Sequence, residues 1–206
     1  MDEVAKKWRS FLLEEENIPY QIYCDMDGVL VDLEAGIEEA LAFADIEDDA
    51  RVQAFQVINS GMLWQRLQQD PKFSKGAQAI FDVLSKGTEV EREAWWANLP
   101  TRSDMAELWN HIATYNPKPI ILSAPWVIDG VIDEACVRGK KRWIQNTLPS
   151  QPQNIIITPN KTVYADPNHI LIDDMDKYVK PWRAAKGKAI QHTSTEKTKN
   201  VLEDLL

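Results

Sequence analysis

Tyr20-Gln21-Ile22-Tyr23-Cys24-Asp25-Met26-Asp27-Gly28-Val29-Leu30-Val31-Asp32 is the stretch from which the fold of this 206-residue chain is read. An apolar, aromatic-rich run bounded by Pro19 predicts a short buried strand, and Asp25 and Asp27 mark its carboxyl end, where the chain must turn. Residues i and i+2 of an extended chain point the same way, so the two carboxylates face one small site. There they repel each other unless a cation or a shared proton intervenes. Gly28 permits a sharp turn, and a helix predicted to begin near Val29 would aim its free amides at the same place. The pattern predicts a phosphate bound beside a divalent cation. Asp-x-Asp-Gly also occurs in calcium loops, but an EF-hand needs glycine at its sixth position and glutamate at its twelfth. Counted from Asp25 these are Leu30 and Gly36.

Downstream, apolar runs recur in alternation with helical periodicity. A capping pattern at Thr101-Arg102-Ser103-Asp104 opens a helix carrying Met105, Leu108, Trp109 and Ile112 on one face, which stops at Asn116-Pro117. Then follow a strand at Pro119–Ser123, a helix from Val131 to Leu148, strands at Asn154–Thr158, His169–Asp174 and Lys188–His192, and a polar C-terminal helix. Such alternation predicts an α/β fold, a doubly wound parallel sheet covered on both faces, with its site at the strands' carboxyl ends.

Upstream, Val4, Trp8, Phe11 and Leu12 predict an amphipathic helix before the first strand. Between the first and second strands only helix signals occur. Leu33, Ile37, Leu41 and Ile46 form one set, Val52, Phe55, Val57 and Ile58 the next; Leu63, Trp64 and Leu67 follow, then Ala77, Ile80, Phe81 and Leu84, and finally Trp95 and Trp96. Breakers at Asn59-Ser60-Gly61, Asp70-Pro71 and Lys86-Gly87 divide them. The chain therefore divides into a core of residues 1–32 and 101–206, with a helical cap of residues 33–100 inserted after the first strand.

Composition narrows the function classes. With 44% hydrophobic residues the chain can bury a sizeable core, and a formal charge of −9 argues against holding long nucleic acid through its backbone. Cys24 and Cys136 lack metal-type spacing and predict reduced thiols, and His111, His169 and His192 show no ligand spacing either. Met1-Asp2-Glu3-Val4 does not read as a signal peptide and no apolar run reaches membrane length, so the expectation is a cytoplasmic protein without membrane contact.

Four strands end in or just before reactive residues: Asp25 and Asp27, Ser123, Lys161 shortly after Thr158, and Asp173-Asp174. Taken singly, Ser123 reads as a strand-end turn residue and Lys161 as a solvated lysine. Two acid pairs, a hydroxyl and a lysine delivered to one sheet edge predict a phosphoryl-transfer site.

These motifs, in this order, resemble those of the haloacid dehalogenase (HAD) superfamily phosphatases, from about Gln21 to Asp174, and within it the sequence is most similar to the 5'(3')-deoxyribonucleotidases. The stretches that carry the likeness are Asp25-Met26-Asp27-Gly28-Val29-Leu30-Val31-Asp32, Ile155-Ile156-Ile157-Thr158 with Lys161-Thr162-Val163, and Leu171-Ile172-Asp173-Asp174. Two departures stand out: Leu33 occupies the place of a base-stacking aromatic residue, and Ser123-Ala124-Pro125 stands where Thr-Ser-Pro is usual.

The resemblance implies a HAD-like Rossmannoid core and a set of roles. Asp25 would attack phosphorus and Asp27 would act as acid and base. Mg2+ would be held by the Asp25 carboxylate, the Asp27 backbone carbonyl and Asp173 or Asp174. Ser123, with Gly28 and Ala124 beside it, would bind the phosphoryl group, and Lys140 or Lys161 would neutralise charge. The expected substrate is a small phosphorylated molecule, a (deoxy)ribonucleoside monophosphate whose base Trp64, Trp95 or Trp96 could stack upon. The alternatives are another metabolite, such as a sugar phosphate, and a polynucleotide end, which the charge disfavours. A response-regulator receiver uses similar residues, but its acid pair comes first and its lone aspartate later, and it has no long helical insertion.

Overall fold

The computed structural model describes residues 19–59 and 75–206. The N-terminal helix expected before the first strand, and the segment with Leu63, Trp64 and Leu67, lie outside the described residues.

In chain order the described elements begin with β1 (Gln21–Cys24) and four helices: α1 (Leu33–Phe43), α2 (Asp48–Asn59), α3 (Lys75–Ser85) and α4 (Glu89–Ala97). Next come α5 (Met105–Ile112), β2 (Ile120–Ser123), β3 (Val127–Ile128), β4 (Val131–Ile132), α6 (Glu134–Thr147) and β5 (Asn154–Ile157). A 3-10 turn (Lys161–Tyr164), β6 (His169–Asp173), α7 (Asp176–Ala184), β7 (Lys188–Gln191) and α8 (Thr195–Leu205) complete the chain. Strands β1, β2, β5, β6 and β7 form one parallel sheet in the order β5-β2-β1-β6-β7.

Strand β1 is central because its four residues are buried on both faces. The two-residue period of a strand sends Ile22 and Cys24 to one face and Tyr23 to the other. Ile22 and Cys24 join Ile121, Ile170, Ile172 and Ile190 in a core closed by Trp109 of α5, Trp143 of α6 and Leu202 of α8. Tyr23 joins Ile120, Leu122 and Leu171 beneath Val179 and Trp182 of α7. Two cores on opposite faces are what the continuous apolar strands predict. Both cysteines are buried and free, and no described helix is long and apolar enough to cross a membrane.

The structure corrects two element boundaries. The helix expected from Val29 begins at Leu33, where the Asp32 side chain caps it by accepting from the Ala35 amide at 3.1 Å. The amides of Leu30 and Val31 are spent on the Met26 carbonyl at 2.8 and 2.9 Å, so they do not form the expected anion pocket. The helix expected from Val131 begins at Glu134, capped by Asp133. Val131 and Ile132 instead pair with Val127 and Ile128 in an antiparallel hairpin, turning at Asp129-Gly130 with both residues at positive φ. Asp-Gly between apolar pairs is a hairpin signal, and here it overrides helical periodicity.

The α4 and α6 helices cross in close contact. A Cβ on Gly139 would lie 2.4 Å from Trp96 Cβ, so only glycine admits this approach. Arg92 of α4 reaches Asp133 at 3.1 Å and Arg138 of α6 reaches Glu93 at 2.6 Å, tying the two helices together beside Lys140.

Candidate active site

The carboxyl end of β1 delivers Asp25 into a nearly closed environment, where it is 4% exposed. Its backbone amide donates to the Ile172 carbonyl at 2.9 Å, and its Oδ1 accepts from the Met26 amide at 2.7 Å. Ser123 ends the adjacent β2 and is fully buried; Asp173 ends β6 on the other side and is also fully buried. The parallel register thus brings three motifs that are distant in sequence to one edge.

Two buried lysines serve different carboxylates. Lys161 Nζ lies 2.9 Å from Asp25 Oδ1 and 2.6 Å from Asp173 Oδ2, with its charge 4.3 Å from the centre of the Tyr178 ring. Lys140 Nζ, from the middle of α6, donates to the Asp27 carboxylate, to the Ala124 carbonyl at 2.7 Å and to Ser123 Oγ at 3.2 Å. It also stands 5.1 Å from the centre of the Trp96 ring. Burial opposes the Lys161 charge, but Asp25 and Asp173 outweigh it and raise the Lys161 pKa.

The acids respond to the same burial. It pushes Asp27 above the ordinary carboxylate value, with Lys140 working against the shift and Asp25 adding to it. Burial, followed by the Asp25 charge, raises Asp173 and carries Asp174 up to about 8. Acids this crowded hold protons unless a cation replaces them.

The residues present fit a divalent metal. Asp25, Asp173 and Asp174 each offer an oxygen within 4.8 Å of the others. Asp173 accepts from the Met175 amide at 2.9 Å through Oδ1 and from Lys161 through Oδ2. Asp174 Oδ1 is buried with no hydrogen-bond partner, so Asp174 has the more available oxygen. An all-oxygen donor set of this kind suits Mg2+. The Asp27 side chain lies with Lys140 outside this triad, so its contribution to a metal would come through its backbone carbonyl.

A cavity of about 340 Å³ opens over the acids, with Asp25, Asp27, Lys140 and Ala124 on its wall. Gly28 does not line it; with φ +75° it passes against Asp174, and a Cβ there would lie 2.4 Å from Asp174 Oδ2. Trp96 lines the cavity and Trp95 does not: Trp95 lies in a separate hollow with Leu84, Glu91 and Arg92. Consecutive helical residues diverge by about 100°, so the pair cannot share one face. Trp64 lies outside the described residues.

No family model matches the sequence, and no curated protein matches it. Solved structures do share the architecture. YfnB from Bacillus subtilis, a HAD-hydrolase structure bound to magnesium, superposes with a TM-score of 0.53 at 12% identity, covering 89% of this chain and 99% of that one. A hydrolase from Streptococcus pneumoniae TIGR4 gives 0.50 at 12% identity, covering 90% and 100%. A dehalogenase with an intermediate complex gives 0.50 at 10% identity, covering 85% of each chain. The chain shares the Rossmann-like α/β fold of these HAD structures.

On that HAD scaffold the cavity has walls that motif reading did not supply. Phe81 of α3 and Trp126 stand with ring centres 5.6 Å apart and planes at 46°, and Trp126 Nε1 donates to Ser85 Oγ at 3.2 Å. Tyr178 and Lys177 of α7 also line it. Trp126 was within reach of sequence reading, since it directly follows Ser123-Ala124-Pro125. Phe81 has no local signal that separates it from Ala77, Ile80 and Leu84, the apolar positions of the same helix.

Proposed function

We propose that this protein is a magnesium-dependent phosphomonoesterase that forms an aspartyl-phosphate on Asp25 and acts on (deoxy)ribonucleoside monophosphates. In this reading residues 33–100 are the substrate-selecting cap, and residues 1–32 and 101–206 the catalytic core. The observation that carries it is the second carboxylate, Asp27, held by buried Lys140 beside Asp25. A halide leaves carbon without needing a proton, whereas an alkoxide leaving phosphorus needs an acid at this position.

In the first step an Asp25 oxygen bonds to phosphorus as the ester P–O bond breaks, and the leaving alkoxide takes the proton from Asp27. Burial raises the affinity of Asp27 for that proton, against the pull of Lys140. In the second step water attacks the phosphorus of the aspartyl-phosphate and gives its proton to Asp27. The P–O bond to Asp25 then breaks, releasing phosphate and restoring both acids. Lys161 fixes the nucleophile and offsets its charge, Ser123 donates to a phosphoryl oxygen, and Lys140 orients Asp27. Asp25, Asp173 and Asp174 would hold magnesium, which would supply charge neutralisation for the nucleophile and the phosphate.

The nucleotide assignment rests on the Phe81 and Trp126 rings, which present flat apolar surface to a leaving group. A polyol phosphate would leave that surface without a matching partner.

Phosphate release with magnesium from nucleoside monophosphates, sugar phosphates and an aryl phosphate tests this reading, with Asp25→Asn as control. Turnover that requires magnesium, disappears in Asp25→Asn and is fastest on nucleotides supports it. Folded wild type without turnover on any substrate overturns it.

A further inference from the structure

Lys161 is 1% exposed, and its ammonium can serve three partners. Asp25 Oδ1 at 2.9 Å and Asp173 Oδ2 at 2.6 Å take two directions, and the face of the Tyr178 ring, centred 4.3 Å from Nζ, takes another. Among the described residues Tyr178 and Asp25 line the cavity and Lys161 does not. A substrate entering the cavity meets the Tyr178 ring, while the Lys161 charge is felt there through Asp25. The ring's quadrupole holds an ammonium in a desolvated site without adding a further anion to an already acid-rich cluster.

On the phosphatase reading above, that contact has a catalytic consequence. Asp25 Oδ1 accepts from the Met26 amide at 2.7 Å and also meets Lys161, so two anchors on one oxygen stop the carboxylate from turning. Attack on phosphorus needs that orientation, since a near-attack geometry is lost with small displacements. We propose that Tyr178 is a positioning residue for the nucleophile: its ring holds Lys161 on Asp25 and Asp173 and keeps water from the ammonium. The role belongs to the ring face, so the hydroxyl is dispensable. It acts on the attacking group and not on the leaving group, so it is felt in kcat and equally for every phosphomonoester.

The test compares Tyr178→Phe, which keeps the ring, with Tyr178→Leu, which removes it, on nucleotide, sugar and aryl phosphates with magnesium present. Tyr178→Leu lowers kcat by about ten-fold on all three classes, the scale of one lost desolvated cation–π contact, and changes KM by less than about two-fold. Tyr178→Phe stays within about two-fold of wild type in both constants. Lys177 Nζ lies 4.9 Å from the same ring centre, and a double-mutant cycle on melting temperature in chelator separates the two lysines. Tyr178→Leu lowers the melting temperature by roughly 4 °C more in the wild-type background than in Lys161→Met, whereas a loss through Lys177 is the same in both. A Tyr178→Phe protein that loses as much kcat as Tyr178→Leu overturns this inference alone. So does a rise in KM at unchanged kcat, or an equal melting-temperature loss in the two backgrounds. Folded wild type without turnover on any phosphomonoester overturns the phosphatase reading together with it.

Discussion

Lys161 Nζ lies 2.9 Å from Asp25 Oδ1, and both side chains are almost wholly buried. The same ammonium bridges to Asp173 at 2.6 Å, so a single fixed cation holds together two acids contributed by different strands.

Removing that cation leaves buried acids uncompensated. Lys161→Met destabilises the metal-free protein by about 3–5 kcal/mol, the usual cost of removing one partner from a buried pair. For a domain of this size that lowers the melting temperature by roughly 10 °C. Scanning calorimetry in chelator measures the drop, and magnesium restores part of it by supplying the missing charge. An unchanged melting temperature would show that the pair carries no such weight.

The same acids make stability depend on pH. Burial and the Asp25 charge hold Asp174 up to about 8, and burial raises Asp173 as well. Both sit above the value an unfolded carboxyl has, so between about pH 4 and pH 8 the folded state binds more protons than the unfolded one. The stability of the metal-free protein therefore falls as pH rises through that window. Melting curves in chelator at several pH values show the decline. Magnesium, which favours the ionised acids, flattens or reverses it. A chelated protein that gains stability toward pH 8 contradicts this account.

Gly28→Ala tests the support behind Asp174. The residue adopts φ +75°, and its Cβ would stand 2.4 Å from Asp174 Oδ2. The backbone strain costs about 1 kcal/mol or more, and the displaced carboxylate lowers magnesium affinity by about ten-fold. Magnesium titration of the variant reads the second effect separately from the first.

The two sides of the α4 tryptophan pair and the wall formed by Trp126 give a substrate-level contrast. Trp126→Ala raises KM for nucleoside monophosphates by roughly ten-fold, the scale of one lost base stack, and leaves glycerol phosphate unaffected. Trp95→Ala changes neither, because Trp95 lies outside the cavity. Equal effects of the two substitutions would remove the nucleotide assignment.

Much of the architecture was legible because strand burial and helix amphipathicity are local patterns. Ile22, Ile121, Ile155 and Ile170 sit in the parallel strands that their apolar runs predict. The hairpin at Asp129-Gly130 and the late start of α1 depart from the periodic pattern, since turn chemistry and capping compete with periodicity over only a few residues.

The candidate site divides along the same line. Asp25, Asp27, Ser123, Lys161 and Asp173-Asp174 are tied to strand ends, and parallel strands bring their carboxyl ends to one edge. The sequence by itself therefore determined which ionisable residues would meet. It could not assign Lys140 to Asp27 and Lys161 to Asp25 and Asp173, because those partners lie far apart along the chain and are chosen by helix placement. Nor could it place Trp96, Phe81 and Trp126 on the cavity and Trp95 elsewhere. Which face of a helix lines a cavity depends on what packs against the others, and only the tertiary structure decides that.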